Sequence, residues 1–137
     1  MSPEPFELSL PSHIEAIQEA AATVAKILQE AGIAEHITYG VEVALREAVA
    51  NAVIHGNRVD ASKVVRVTVK AAPQELEIMV HDEGAGFDPA TVPDPTATKH
   101  RLKSSGRGIF LMRDFMDRVE WRIRPEGGTS VRMLKKY

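Results

Sequence analysis

From position 14 to position 53, apolar side chains recur every three or four residues; from 65 to 80 they recur at every second residue. The first spacing is that of a helix with one buried stripe, the second that of a strand with one buried face. A chain holding both must lay helices against a sheet. Ile14, Ile17, Ala21, Val24, Leu28 and Ala31 form one stripe, with Ser12 and Glu15 spaced as a capping box and Gly32 as the stop. A second helix is expected from about Glu35 to His55, its face made of Val41, Ala44, Leu45, Ala48, Val49, Ala52 and Val53, with Gly56 ending it. "FELSL" alternates ahead of the helices. After them Val65, Val67 and Val69 share one side, then Leu76, Ile78 and Val80, with the hairpin-sized "KAAPQ" between. "GIFLMRDFM" reads as a short helix, and "RVEWRI" and "TSVRML" as a last hairpin around "PEGG". The expectation is an α+β protein, a two-layer sandwich with its helices on one face of the sheet.

Composition narrows the function. The 137 residues suit one domain spanning 1–137, and 44% hydrophobic with 26% charged residues is an ordinary globular balance. A net charge of −2 and a pI near 6.2 argue against direct nucleic-acid binding by the surface as a whole. The absence of cysteine excludes disulfides and thiolate metal sites and suits a reducing compartment. Glu4 and Glu7 lie where a secretory signal would be basic and then apolar, and no apolar run reaches the roughly 18 residues of a membrane span. A soluble, cytoplasmic protein without a membrane partner is expected.

Three stretches could carry chemistry. In "EAVANAVIHGN", Glu47, Asn51 and His55 follow one another at intervals of four along the margin of the apolar face. A solvated helix edge accounts for such a row, yet Asn is a mediocre helix former and its amide invites use elsewhere. In "HDEGAGFDP", the parity of Leu76, Ile78 and Val80 carries Asp82 to the buried side, where a carboxylate needs a partner. Gly84 and Gly86 beside it allow close approach of a flat ring, so the stretch reads as an adenine site or as a plain Asp-Gly turn. In "SSGRGIF", two glycines precede a helix, which suits a phosphate and equally a simple loop-to-helix junction. Between the last two stretches, residues 88–105 show no periodicity and include the basic cluster Lys99, His100, Arg101 and Lys103. A structureless stretch of this length is usually functional or mobile. Neither a G-x-x-x-x-G-K-[ST] loop nor protein-kinase motifs occur.

E-x-x-x-N on a helix, D-x-G-x-G after a strand, a long loop and G-x-G opening a helix, in this order, resemble the Bergerat ATP-binding fold. Within that superfamily "EVALREAVANAVIHGN" and "GTSVRMLKKY" look most like the bacterial anti-sigma-factor serine kinases. The resemblance covers nearly the whole chain. It implies a mixed, mostly antiparallel sheet and a lid at about 88–105 hinged at Gly86 and Gly106. It implies ATP with Mg²⁺, the ion held through Asn51, and Glu47 as the general base that takes the proton of a partner's serine hydroxyl. Asp82 would hold the adenine amine, Gly84 and Gly86 would give room, and Ser105, Gly106, Arg107 and Gly108 would lie along the phosphates. His55 and Thr129 join the nucleotide-binding set, and Asn57 is expected to be structural or nucleotide-adjacent. The implied function is an ATP-dependent serine/threonine protein kinase that binds a sigma factor and phosphorylates an anti-anti-sigma protein, as a homodimer. Ser104 stands where kinases of this family often carry an arginine, with Arg101, Lys103 and Arg107 as neighbours that could replace it. An ATP-dependent module that sequesters its partner without phosphorylating it is the alternative.

Overall fold

The computed structural model describes residues 5–60, 62–84, 111–124 and 127–137. Strand β1 (Phe6–Pro11) leads into helices α1 (Glu15–Glu30) and α2 (Glu35–Ala50). A π-helical turn, Asn51–Gly56, follows α2 directly. Strands β2 (Val64–Ala71), β3 (Glu75–His81), β4 (Arg118–Ile123) and β5 (Thr129–Lys136) complete the sheet, in the order β1-β2-β3-β5-β4. Every pairing among the described strands is antiparallel, and the resemblance implied a mixed, mostly antiparallel sheet.

The alternation in β2 and β3 does what its period requires: Val65, Val67, Val69, Leu76, Ile78 and Val80 are all buried, and Val131 and Met133 of β5 continue that face. Against it lie Ala20, Val24 and Leu28 of α1 with Val41, Leu45 and Val49 of α2, in one core. Each fully buried Leu, Ile or Val contributes roughly 1.5–3 kcal/mol, so this face decides the sheet's register. The result is a two-layer α+β sandwich with both helices on one face. Residues 111–115 are helical too, and their Phe115 presses on α2 at Gly40, where a Cβ would come within 2.9 Å of the ring.

The end of α1 follows expectation and its start does not. Gly32 takes φ +76, the Gly32 and Ile33 N–H groups bond to the carbonyls of Gln29 and Leu28, and Ile33 packs in the core with Leu28. This is a Schellman cap. At the other end, Ser12 caps nothing: the N-cap is Ile14, without a side-chain cap, and the Ser12 hydroxyl is buried and unpartnered. Its backbone explains why, since the Ser12 N–H is drawn into the sheet by the Lys63 carbonyl. The first turn closes instead through backbone bonds from Ala16 to His13 and from Ile17 to Ile14. Ile14 consequently falls outside the helix and is 51% exposed.

Candidate functional site

The π turn that ends α2 sets the site's geometry. The Asn57 N–H bonds to the Ala52 carbonyl five residues back, the closure of a π-helix. Four residues no longer complete a turn there, so the expected row of Glu47, Asn51 and His55 is broken. Asn51 faces the sheet and lines a cavity, Glu47 is half-buried one turn earlier, and His55 is exposed. The Asn51 side chain has its Nδ2 buried without a hydrogen-bond partner. A buried amide N–H left unmade costs about 1–3 kcal/mol, which an arriving acceptor would recover. Burial pushes the Glu47 carboxyl above its ordinary range.

Asp82 enters the same cavity from the end of β3, on the side that the strand's parity requires. It is 6% exposed, and its Oδ1 accepts the Gly84 N–H at 2.9 Å and the Thr129 N–H at 3.1 Å. The Asp82 N–H in turn donates to the Thr129 carbonyl, so Thr129 holds Asp82 from both ends. Burial raises the Asp82 carboxyl above its ordinary value, and the two N–H donors pull it partly back. Three glycines enclose this residue. A Cβ on Gly56 would strike the Asp82 carboxylate, one on Gly84 would overlap the Gly56 carbonyl, and one on Gly128 (φ +91) would overlap the Asp82 carbonyl. Gly84 was expected to leave room for a flat ring; what approaches it closely is the π turn, through the Gly56 carbonyl. Gly56 was legible only as a helix stop and Gly128 only as a turn residue, because neither contact is local in sequence.

The expected structural role of Asn57 has a concrete form. It is 1% exposed, its Nδ2 donates to the Val64 carbonyl at 3.1 Å, and its Oδ1 accepts the Glu83 N–H at 2.8 Å. Glu83 Oε1 accepts the Val64 N–H at 2.6 Å. Helix exit, start of β2 and end of β3 are thus tied at one point, which fixes Asp82 relative to Asn51. The turn continues through Arg58 and Val59, both at positive φ, a conformation that a β-branched residue such as Val59 rarely adopts.

Ala48, Ala52, Val80, Met112, Trp121 and Val131 complete the cavity, whose volume of about 20 Å³ is room for a single water. A nucleotide would have to displace a wall, and the fully buried Met112, unbranched and adaptable, is the most compliant one. A larger cavity of about 650 Å³ lies on the opposite face of the sheet, away from Asn51. Gly86, Ser105, Gly106, Arg107 and Gly108, the lid at 88–105 and Ser104 lie outside the described residues. Among the described residues no three Asp, Glu, His or Cys side chains gather to hold a metal, and no helix is long and apolar enough to cross a membrane.

Residues 10–135 match the family described as the histidine kinase-like ATPase domain. The anti-sigma F factor of Clostridium perfringens is 38% identical over 98 residues, 70% of this chain and 70% of that protein. Its counterpart in Oceanobacillus iheyensis is 37% identical over 99 residues, 70% of this chain and 67% of that protein. Among solved structures, the RsbU and RsbW domains of a Mycobacterium tuberculosis protein superpose with a TM-score of 0.70 at 18% identity. The match takes in 97% of this chain and 32% of that one, so this chain spans about a third of its length. The SiaB–SiaC complex from Pseudomonas aeruginosa gives 0.69 at 13% identity, over 94% of this chain and 88% of that one. At such identities the structures speak for the fold, and the sequence relatives speak for the family. The chain belongs to the histidine kinase-like ATPase domain family, an ATP-binding Bergerat fold, and stands there among the anti-sigma factors.

Proposed function

We propose that this protein is an ATP-dependent serine/threonine kinase acting as an anti-sigma regulatory factor in the cytoplasm. In this reading it binds a sigma factor, phosphorylates an anti-anti-sigma protein and works as a homodimer. The observation that carries the reading is the buried, unpartnered Asn51 amide facing the cavity that Asp82 also lines. An Asn side chain placed so can offer its oxygen to Mg²⁺ and its N–H to a phosphate oxygen, which fits a metal shared between protein and nucleotide. When bound, Mg-ATP supplies the phosphoryl group with its charge partly neutralised.

The chain's own residues do the rest. In this reading Asp82, held by the Gly84 and Thr129 N–H groups, accepts an exocyclic amine of adenine. Glu47 sits one helical turn, about 5.4 Å, before Asn51, and takes the proton of the attacking hydroxyl. Its raised carboxyl makes it a better base than an exposed glutamate. Gly86, Ser105, Gly106, Arg107 and Gly108 remain the proposed phosphate contacts. His55, exposed and absent from the cavity wall, would join them only from outside it.

The test uses a partner retained from native extract in the presence of ATP, then labelled ATP and phosphoamino-acid analysis. Wild-type protein should yield phosphoserine or phosphothreonine on that partner. Glu47→Ala should cut transfer by about 10²-fold or more while leaving the Mg-ATP thermal shift in place. Wild-type transfer should also fall as the pH drops through the raised Glu47 pKa, because only the carboxylate accepts a proton. Partner and nucleotide both bound with no phosphoamino acid formed would instead identify a sequestering module.

A further inference from the structure

The largest cavity described, about 650 Å³, opens on the face of the sheet that carries no helix. Strand parity puts Arg66 of β2, His81 of β3, Arg122 of β4 and Ser130 and Arg132 of β5 on that face, with Arg124 just past β4. A second cavity of about 260 Å³ shares Arg66, His81 and Arg124 and extends toward Glu83. Together they make a groove across four strands.

Its charge departs from that of the molecule. The protein carries −2 overall, yet four arginines and one carboxylate, Glu120, line the larger cavity. Carboxylates flanking the groove hold two of the guanidiniums in place. Glu77 Oε2 accepts from Arg132 Nε at 3.0 Å and Nη2 at 2.8 Å, and Glu7 lies 3.5 Å from Arg66. Arg122 is exposed on the edge strand and has no ion pair with a described residue. The field shows in His81, whose imidazole is held below its ordinary pKa by burial and then by the charges of Arg124 and Arg66.

We propose that this groove is a docking site for an acidic peptide segment of a protein partner, read by Arg66, Arg122, Arg124 and Arg132. Guanidinium forks match carboxylates in paired geometry, and forks fixed in advance lose less freedom on binding. The lining favours a peptide over other anions. Small-molecule sites place only a few polar groups, whereas four guanidiniums line this wall. Single-stranded nucleic acid needs aromatic platforms, and Trp121, the aromatic bordering the groove, has its ring engaged by the Arg113 guanidinium, 5.3 Å from the centroid. The smaller cavity reaches Asp82, so the groove borders the Asn51 pocket, but none of the four arginines lines that pocket, and docking does not depend on the proposed kinase reaction.

The probe is a fluorescein-labelled alternating Glu-Ser decapeptide, followed by anisotropy at low salt with the full chain. Binding is expected, and the double variant Arg66→Gln/Arg122→Gln should weaken it about tenfold, or 1.4 kcal/mol, while leaving the Mg-ATP thermal shift unchanged. Arg122→Glu, a single change at an exposed edge position, should weaken it as well and serves if the double variant melts early. No binding of the peptide, equal binding of a Lys-Ser decapeptide, or unchanged affinity in the variants would overturn the proposal. So would labelled oligothymidine bound with the same arginine dependence, or displacement of the peptide by equimolar pyrophosphate.

Discussion

Asp82 combines burial, a carboxylate and two backbone donors, and its behaviour with pH follows from those three. Its folded pKa lies above the ordinary 3.8, so the stability it contributes is fully present below that value and is lost as the pH rises through the folded pKa. At neutral pH the ionised group therefore costs the fold something. Asp82→Asn, whose amide oxygen can still accept the Gly84 and Thr129 N–H groups, should keep or raise the melting temperature at neutral pH. The same change should weaken Mg-ATP binding about tenfold or more, because an amide is a poorer acceptor for the adenine amine than a carboxylate. Calorimetric melting and nucleotide titration of the two proteins check both halves. A drop in melting temperature equal to the loss in affinity would mean that Asp82 is structural only.

Among elements, the decisive junction is the π turn against the end of β3. Gly84 has no room for a side chain because the Gly56 carbonyl occupies the space, and Gly56 has none because Asp82 does. Gly84→Ala should cost about 2 kcal/mol or more in urea denaturation, since backbone and not a flexible side chain must yield. Asn57→Ala should cost about 2–3 kcal/mol by leaving the Val64 carbonyl and the Glu83 N–H unpaired. His55→Ala, two residues away and exposed, should change stability by less than about 0.5 kcal/mol. That contrast separates the residue which ties the elements from the neighbour that sequence spacing places beside it. If Asn57→Ala and His55→Ala behave alike, the tie is not what fixes the turn.

For the molecule as a whole, the two faces of one sheet have divided the work. The inner face is Val, Leu, Ile and Met under two helices, and the outer face is Arg and Glu around a half-buried His81 and a buried Ser130, with no helix over it. His81 reports on the outer face, where its Nδ1 meets Ser130 Oγ at 2.5 Å. Its folded pKa lies below the ordinary 6.5, so its contribution to stability is present above 6.5 and lost as the pH falls through the folded value. The melting temperature of wild type should decline over that acid window, and His81→Gln should flatten the decline. An unchanged pH profile in the variant would remove His81 from the account.

Period and parity are local properties of the backbone, so the amino-acid pattern alone places most elements and the side each residue faces. Val65 to Val80 and the Asp82 that extends them needed no structure to place. The glycine cap of α1 was equally legible, since a left-handed residue is a local demand. Only the tertiary structure decided that Ser12 caps nothing, its backbone being taken by Lys63. Only it turned Asn51–Gly56 into a π turn that separates His55 from Asn51, made Gly56 and Gly128 the walls around Asp82, and gathered four arginines from three strands and a turn. Each of those outcomes is set by contacts between residues far apart in the chain, and no spacing pattern encodes them.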